Sequence, residues 1–321
     1  MNALTLTNGQ LSYSQIDKPT PLPSEALLKL DLAGVCSTDL EIVKGYVPGF
    51  SGVLGHEFVG TIEEIGDPTK QSWLGKRATA SINIGCQTCE TCLSEGPEHC
   101  LQRTVLGIHQ RDGAFADYMT VPIRNLVSVP DSVPNNLAVF TEPLAAALRI
   151  REQLCVPPSE SIGVVGPGRL GMLIGWILSL AGNRVVMVGR RRESLKLAEK
   201  WDLETGLTED VSDNAFNFVV ETTGNDAGFA HALRITRPGG TIVLKSTYAG
   251  KSNVDLTKLV VGEIKVVGSR CGPFEPAVRL LATPAAVKLL DLIDGKFPLS
   301  EGAAAMQKAG EQGVRKILLR P

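Results

Sequence analysis

The chain has 321 residues, room for two domains at roughly 100–200 residues each. Its 32 Lys+Arg and 34 Asp+Glu leave a formal charge of −2, which argues against a nucleic-acid or anionic-membrane binder. A hydrophobic share of 43% excludes a disordered chain.

In chain order, the N-terminal MNALTLTNGQLSY lacks the basic-then-apolar pattern of a signal peptide, so a cytoplasmic location is expected. Residues 1–148 read as β-rich, with short apolar runs at 26–32, 58–65, 77–82 and 116–121 between Gly and Pro punctuation. The texture changes near residue 161. Ser161–Val165 reads as a strand, GPGRLG as a turn and 170–181 as a helix. Further strands are expected at 184–188, 216–220, 241–245 and 264–268, with a helix at 193–200. Strands alternating with helices mark a parallel α/β domain. Beyond residue 272 come two helical segments and a last strand at 315–319. The most apolar run, 170–181, contains Gly171 and Gly175 and falls short of the ~20 residues a membrane span needs.

Gly166-Pro167-Gly168-Arg169-Leu170-Gly171 is a G-x-G-x-x-G that follows a predicted strand and opens a predicted helix, the context a dinucleotide site requires. The first glycine serves the tight turn and the second the approach of a pyrophosphate. The third serves close helix packing, and the helix N-terminus supplies N–H donors. Roughly 20 residues further on, an NAD site usually offers an acid to the ribose 2′-hydroxyl. Here the next strand ends in Gly189 followed by Arg190, Arg191 and Arg192. Guanidinium groups grip a 2′-phosphate that a carboxylate would repel, so NADP(H) is expected over NAD(H). A solvated basic helix start is the other reading.

The seven cysteines are Cys36, Cys86, Cys89, Cys92, Cys100, Cys155 and Cys271. An odd count without an export signal argues against a disulfide framework. Cys86, Cys89, Cys92 and Cys100 have the tight spacing of a closed four-thiolate zinc site, structural because it has no open position; redox cysteines are the alternative. Nearby Glu90, Glu95 and Glu98 disfavour phosphate binding. A dispersed set, Cys36, His56-Glu57 and Glu142, is unconvincing residue by residue. Together it offers S, N and O donors with one position open, as catalytic zinc requires. A nicotinamide beside such a metal has one natural use, hydride transfer between alcohol and carbonyl. Cys155 and Cys271 are expected to be buried thiols without assigned chemistry.

Gly34-Val35-Cys36-Ser37-Thr38-Asp39, Gly55-His56-Glu57, the four-cysteine lobe, Glu142-Pro143-Leu144 and the glycine fingerprint stand in the order and separations of the zinc-dependent medium-chain dehydrogenase/reductases, which the chain resembles over nearly its whole length. With Glu142 where vertebrate-type alcohol dehydrogenases carry a cysteine, it is most similar to the polyol, threonine and glucose dehydrogenase branch. The resemblance implies that Cys36, His56 and Glu142 bind the catalytic zinc, with Glu57 beside them or as an alternate ligand. It implies that Thr38 bonds the substrate oxygen and starts a proton relay. Thr222, Thr223 and Gly224 would contact the cofactor, Lys245 and Ser246 would sit near the nicotinamide, and Arg315 would reach the pyrophosphate. Where many relatives carry the relay's last histidine, this chain has Glu41.

The expectation is therefore an α/β protein. A Rossmann doubly wound parallel sheet over 149–272 would be inserted into a β-rich, GroES-like catalytic domain of 1–148 and 273–321, with the active site in the cleft between them. The expected activity is zinc-dependent oxidation of a secondary or polyol-like alcohol with NADP(H), using one catalytic and one structural zinc. The alternatives are an NAD-dependent dehydrogenase of an amino-acid-derived alcohol, and a non-catalytic NADP(H)-binding sensor or scaffold. A small-molecule substrate is expected and no nucleic acid or membrane partner. A homodimer or homotetramer through the Rossmann domains is the expected assembly.

Overall fold

The computed structural model describes residues 1–248 and 252–321. One compact unit comprises Met1–Glu142 with Phe274–Pro321, and the other Pro143–Pro273. The expected joints lay at 148 and 272.

In the first unit the ten-residue strand Glu25–Gly34 is buried along most of its length because it is flanked on both sides. Glu57–Ile65 pairs antiparallel with it, Gly34 opposite Glu57. Lys316–Arg320 also pairs antiparallel, Leu318 opposite Gly34, and in turn carries the parallel strand Ile293–Pro298. Tyr118–Pro122, Arg77–Ala80 and Leu126–Ser128 complete a seven-stranded sheet. A hairpin of Asn2–Thr7 and Gln10–Gln15 turns at Asn8 and Gly9, whose φ values of 51° and 76° suit a tight two-residue turn. These two registers bring Cys36, His56 and Lys316 to one end of the sheet.

The second unit is a six-stranded, wholly parallel sheet. Its spatial order is Glu204–Leu207, Arg184–Gly189, Ser161–Val165, Phe216–Glu221, Thr236–Leu244 and Lys265–Gly268. With the first strand in the chain at the centre and the order reversing beside it, this is the expected doubly wound arrangement. The helix Arg169–Leu180 is buried from Gly171 to Leu178, which explains its apolar run without a membrane. No helix among the described residues is long and apolar enough to cross one. Trp176 and Trp201 are core residues. Cys155 departs from expectation: it lies in the connection between the helix Thr141–Gln153 and the first strand and is exposed, and Cys271 is half-buried.

His231, on the helix Asp226–Ile235, is 7% exposed, with Nδ1 3.2 Å from an Arg234 Nη2. Burial and then Arg234 push its pKa down to about 4. The unfolded chain takes up this proton near pH 6.5, so the stability linked to neutral His231 is complete above that pH and is lost as pH falls toward 4. Urea unfolding should show a loss on the order of 2 kcal/mol across this window. His231→Gln should flatten that dependence, and an unchanged slope in the variant would exclude His231 as its source.

Candidate active site and metal centres

Cys36 caps the short helix Ser37–Val43, and its backbone N–H donates to Asp39 Oδ2 at 2.8 Å. The other Asp39 oxygen lies 3.2 Å from His56 Nδ1. Asp39 is fully buried and His56 nearly so, at 0% and 3% exposure. One carboxylate thus orients both the thiol-bearing turn and the imidazole, leaving His56 Nε2 as the nitrogen a metal can use. Burial lowers the His56 pKa, but Asp39 and then Cys36 outweigh it and hold it well above the usual range. The Thr38 oxygen lies 3.7 Å from Cys36 Sγ. Donor atoms of Cys36, His56 and Glu57 lie within 4.8 Å of one another, a mixed S/N/O set that suits zinc. Among the described residues Glu142 does not join that compact group; it stands half-buried in the first turn of Thr141–Gln153.

The residue that sequence reasoning missed is Lys316. It is 3% exposed, pairs with Glu57 Oε2 and donates to the Val35 carbonyl at 3.4 Å. Its ammonium lies 5.8 Å from the Phe140 ring centre. Its neighbour Arg315 is half-buried, its backbone N–H held by Asp294.

The four-cysteine lobe has its own signature. Cys86 and Cys92 sulfurs lie 3.9 Å apart, and Cys89 and Cys100 sulfurs 3.8 Å. A disulfide would bring sulfurs to about 2 Å. The edge of a tetrahedron with 2.3 Å Zn–S bonds is about 3.8 Å, so the four thiols are spaced for one zinc. Backbone N–H groups of Cys89 and Cys92 each point at a sulfur at 3.4 Å. The Thr88 hydroxyl, helped by backbone donors, pulls Cys86 down to about 5, while burial pushes Cys92 up to about 12.

In the second unit the fingerprint turn has Gly166 at φ 104°. A Cβ on Gly171 would fall 1.9 Å from the Gly166 carbonyl oxygen, whereas one on Gly168 would meet nothing within 4 Å. Gly168 caps the helix Arg169–Leu180 without a side-chain hydrogen bond, so the helix N-terminus is open to an anion. Leu170 is half-buried in its first turn. Arg190, Arg191 and Arg192 are all exposed where Arg184–Gly189 ends. Thr222 donates to the carbonyls of Val165 and Gly166 at 2.8 Å, and Thr223 to Glu221 at 2.5 Å, so both hydroxyls brace strand ends. Lys245 Nζ donates to the Ala146 carbonyl at 2.6 Å and to Ser269 Oγ at 3.1 Å.

Two family models match the chain: the Alcohol dehydrogenase GroES-like domain over residues 22–131 and the Zinc-binding dehydrogenase over residues 170–283. An L-threonine 3-dehydrogenase of Xanthomonas oryzae is 30% identical over 280 residues, covering 82% of this chain and 81% of the relative. An L-galactonate-5-dehydrogenase of Escherichia coli is 29% identical over 276 residues, covering 81% and 80%. A zinc-binding dehydrogenase of Sinorhizobium meliloti solved with NADP superposes with a TM-score of 0.90 at 26% identity, over 100% of this chain and 99% of that one. The chain belongs to the zinc-dependent medium-chain dehydrogenase/reductase family and is an oxidoreductase. Its fold combines a GroES-like part with a Rossmann sheet.

Proposed function

We propose that this enzyme transfers a hydride between a secondary or polyol-like alcohol and NADP(H). The observation that carries the reading is the convergence of Cys36, His56 and Glu57 donors within 4.8 Å, oriented by buried Asp39. Cys36, His56 and Glu142 would hold a catalytic zinc, with Glu57 as an alternate donor. The four cysteines would hold a second, structural one. Zinc at the first site supplies a Lewis acid for the substrate oxygen. Thr38 would accept the alcohol proton through its hydroxyl and pass it on while the carbon-bound hydrogen leaves as hydride to the nicotinamide ring. Gly168 and the uncapped helix N-terminus would seat the pyrophosphate, with Arg169, Lys245 and Arg315 near the cofactor.

Three exposed arginines at the end of the second strand, together with the NADP of the Sinorhizobium relative, support NADP(H). Arg190→Ala should weaken NADPH about 10–100-fold, as expected for loss of a charged hydrogen bond, with NADH nearly unaffected. Equal loss of both cofactors would defeat the phosphate clamp. The threonine dehydrogenase relatives favour a second reading, oxidation of an amino-acid-derived alcohol, for which NAD would be the cofactor if the arginines form only a solvated face. Turnover of secondary alcohols, polyols, aldonates and L-threonine with either cofactor separates the two. A zinc-replete enzyme that turns over none of them would leave only a cofactor-binding sensor.

The edge strand Lys265–Gly268 exposes Val266, and the helix Leu256–Val261 exposes Leu256, Val260 and Val261 by 67%, 75% and 79%. These support a homodimer or homotetramer through the Rossmann sheet, since an unpaired edge and an adjacent apolar patch invite a second copy. Val260→Asp should shift the sedimentation coefficient to that of a smaller species. Four cysteines held reduced for a metal support a cytoplasmic location.

A further inference from the structure

We infer that Lys316 is a positioning residue of the metal site, acting through Glu57. This rests on the zinc reading above. The Lys316 ammonium pairs with Glu57 Oε2, donates to the Val35 carbonyl at 3.4 Å and faces the Phe140 ring at 5.8 Å. Val35 precedes Cys36, Glu57 follows His56, and Phe140 stands two residues before Glu142. One buried cation therefore touches all three segments that carry the proposed ligands.

Glu57 is itself a competent donor, because its carboxylate lies within 4.8 Å of the Cys36 and His56 donor atoms. An unpaired carboxylate at that distance would compete with substrate for the position the reaction needs open. Pairing with Lys316 commits one of its oxygens to the ammonium. The backbone makes room for the pair: a Cβ on Gly34 would fall 2.6 Å from Glu57 Oε2 and 3.4 Å from Lys316 Cδ. Glu57 is 1% exposed and Lys316 3%, and a buried pair of this kind is weak evidence for stability. Its place among the ligand segments points instead to control of the Glu57 carboxylate.

The test uses the full-length enzyme loaded with cobalt, comparing wild type, Lys316→Met, Lys316→Arg, Glu57→Gln and the Lys316→Met/Glu57→Gln double variant. Difference spectra cancel the four-cysteine site. Lys316→Met should shift the cobalt d–d bands and lower kcat/KM about 30-fold, within the range for groups that orient metal ligands. Lys316→Arg should keep wild-type bands. The double variant should match Glu57→Gln in bands, and in kcat/KM within about threefold, because without the carboxylate Lys316 has nothing to restrain. This comparison decides the matter even where Lys316→Met alone does not fold. Wild-type bands in Lys316→Met, or a double variant clearly worse than Glu57→Gln, would overturn the inference alone. A wild-type enzyme that binds a single cobalt per chain would overturn it together with the zinc reading.

Discussion

Replacing Gly171 with alanine should weaken dinucleotide binding severely and disturb the fold, and replacing Gly168 should weaken it less and leave the fold intact. The two glycines are three residues apart in one turn but face different neighbours. A Cβ on Gly171 would stand 1.9 Å from the Gly166 carbonyl oxygen and 2.8 Å from Thr222 Oγ1. The first of these is backbone, so the turn itself must open and the helix Arg169–Leu180 must move off the sheet. NADPH affinity should fall at least ~100-fold, with a stability loss of about 2–3 kcal/mol. A Cβ on Gly168 meets no atom within 4 Å, so Gly168→Ala should melt like wild type. Its methyl group would still stand where a pyrophosphate approaches the backbone, and affinity should fall about tenfold or more. Fluorescence titration of NADPH and thermal melts of both variants check the split. Wild-type affinity in Gly168→Ala would place the cofactor's phosphates elsewhere.

Cys100→Ser should release one zinc per chain and destabilise the first unit while leaving the Cys36 site loaded. Cys100 is fully buried, and its sulfur stands 3.8 Å from that of Cys89. The lobe has little apolar core of its own: Leu93 is 74% exposed and Leu101 97%. A closed zinc site contributes folding free energy directly, so losing it should cost about 3–5 kcal/mol, or a Tm decrease of about 10 °C. Zinc analysis and calorimetry test this together. An unchanged metal content would show that the four thiols do not share an ion.

Much of this was legible in the sequence because it depends on local spacing. The glycine fingerprint needs one turn and one helix, and the four cysteines gather their sulfurs together within fifteen residues. The apolar runs of the second unit need only their own pattern, and five of its six strands formed where strands were expected, with Thr236–Leu244 starting earlier than 241; Glu204–Leu207 was not expected and is made by pairing with Arg184–Gly189. The strand Ile293–Pro298 was not legible: Asp294, Gly295, Lys296 and Pro298 carry no β signal, and parallel pairing with Lys316–Arg320 creates it. Lys316 escaped for a related reason. Successive strand residues point to opposite faces, so whether residue 315 or 316 turns inward depends on the pairing of Leu318 with Gly34, which no local pattern encodes. Asp39 was in plain view as the acid three residues beyond Cys36, a helix-capping position. Its second oxygen, aimed at His56, could be seen only once the sheet register had brought the two together. Lys245, expected near the cofactor, is bonded to Ala146 and Ser269, a link between residues 99 and 24 positions away in the chain.

The route of the chain through the first sheet also has a consequence for biosynthesis. Lys316 reaches Glu57 across 259 residues, and the strand that carries it completes the pairing of Glu25–Gly34. The parallel sheet of Pro143–Pro273 draws on one continuous stretch and can form while synthesis proceeds. On the edge of Glu25–Gly34 that Lys316–Arg320 completes, Tyr118–Pro122 already covers Glu25–Lys29, but Ala33 and Gly34, which lead into Cys36, must wait for Leu319 and Leu318. Such an edge is a template for intermolecular pairing. Until its last residues are made, a nascent chain of this enzyme therefore keeps a short open edge at Ala33 and Gly34, beside the Cys36 turn, where intermolecular pairing or chaperone contact should concentrate.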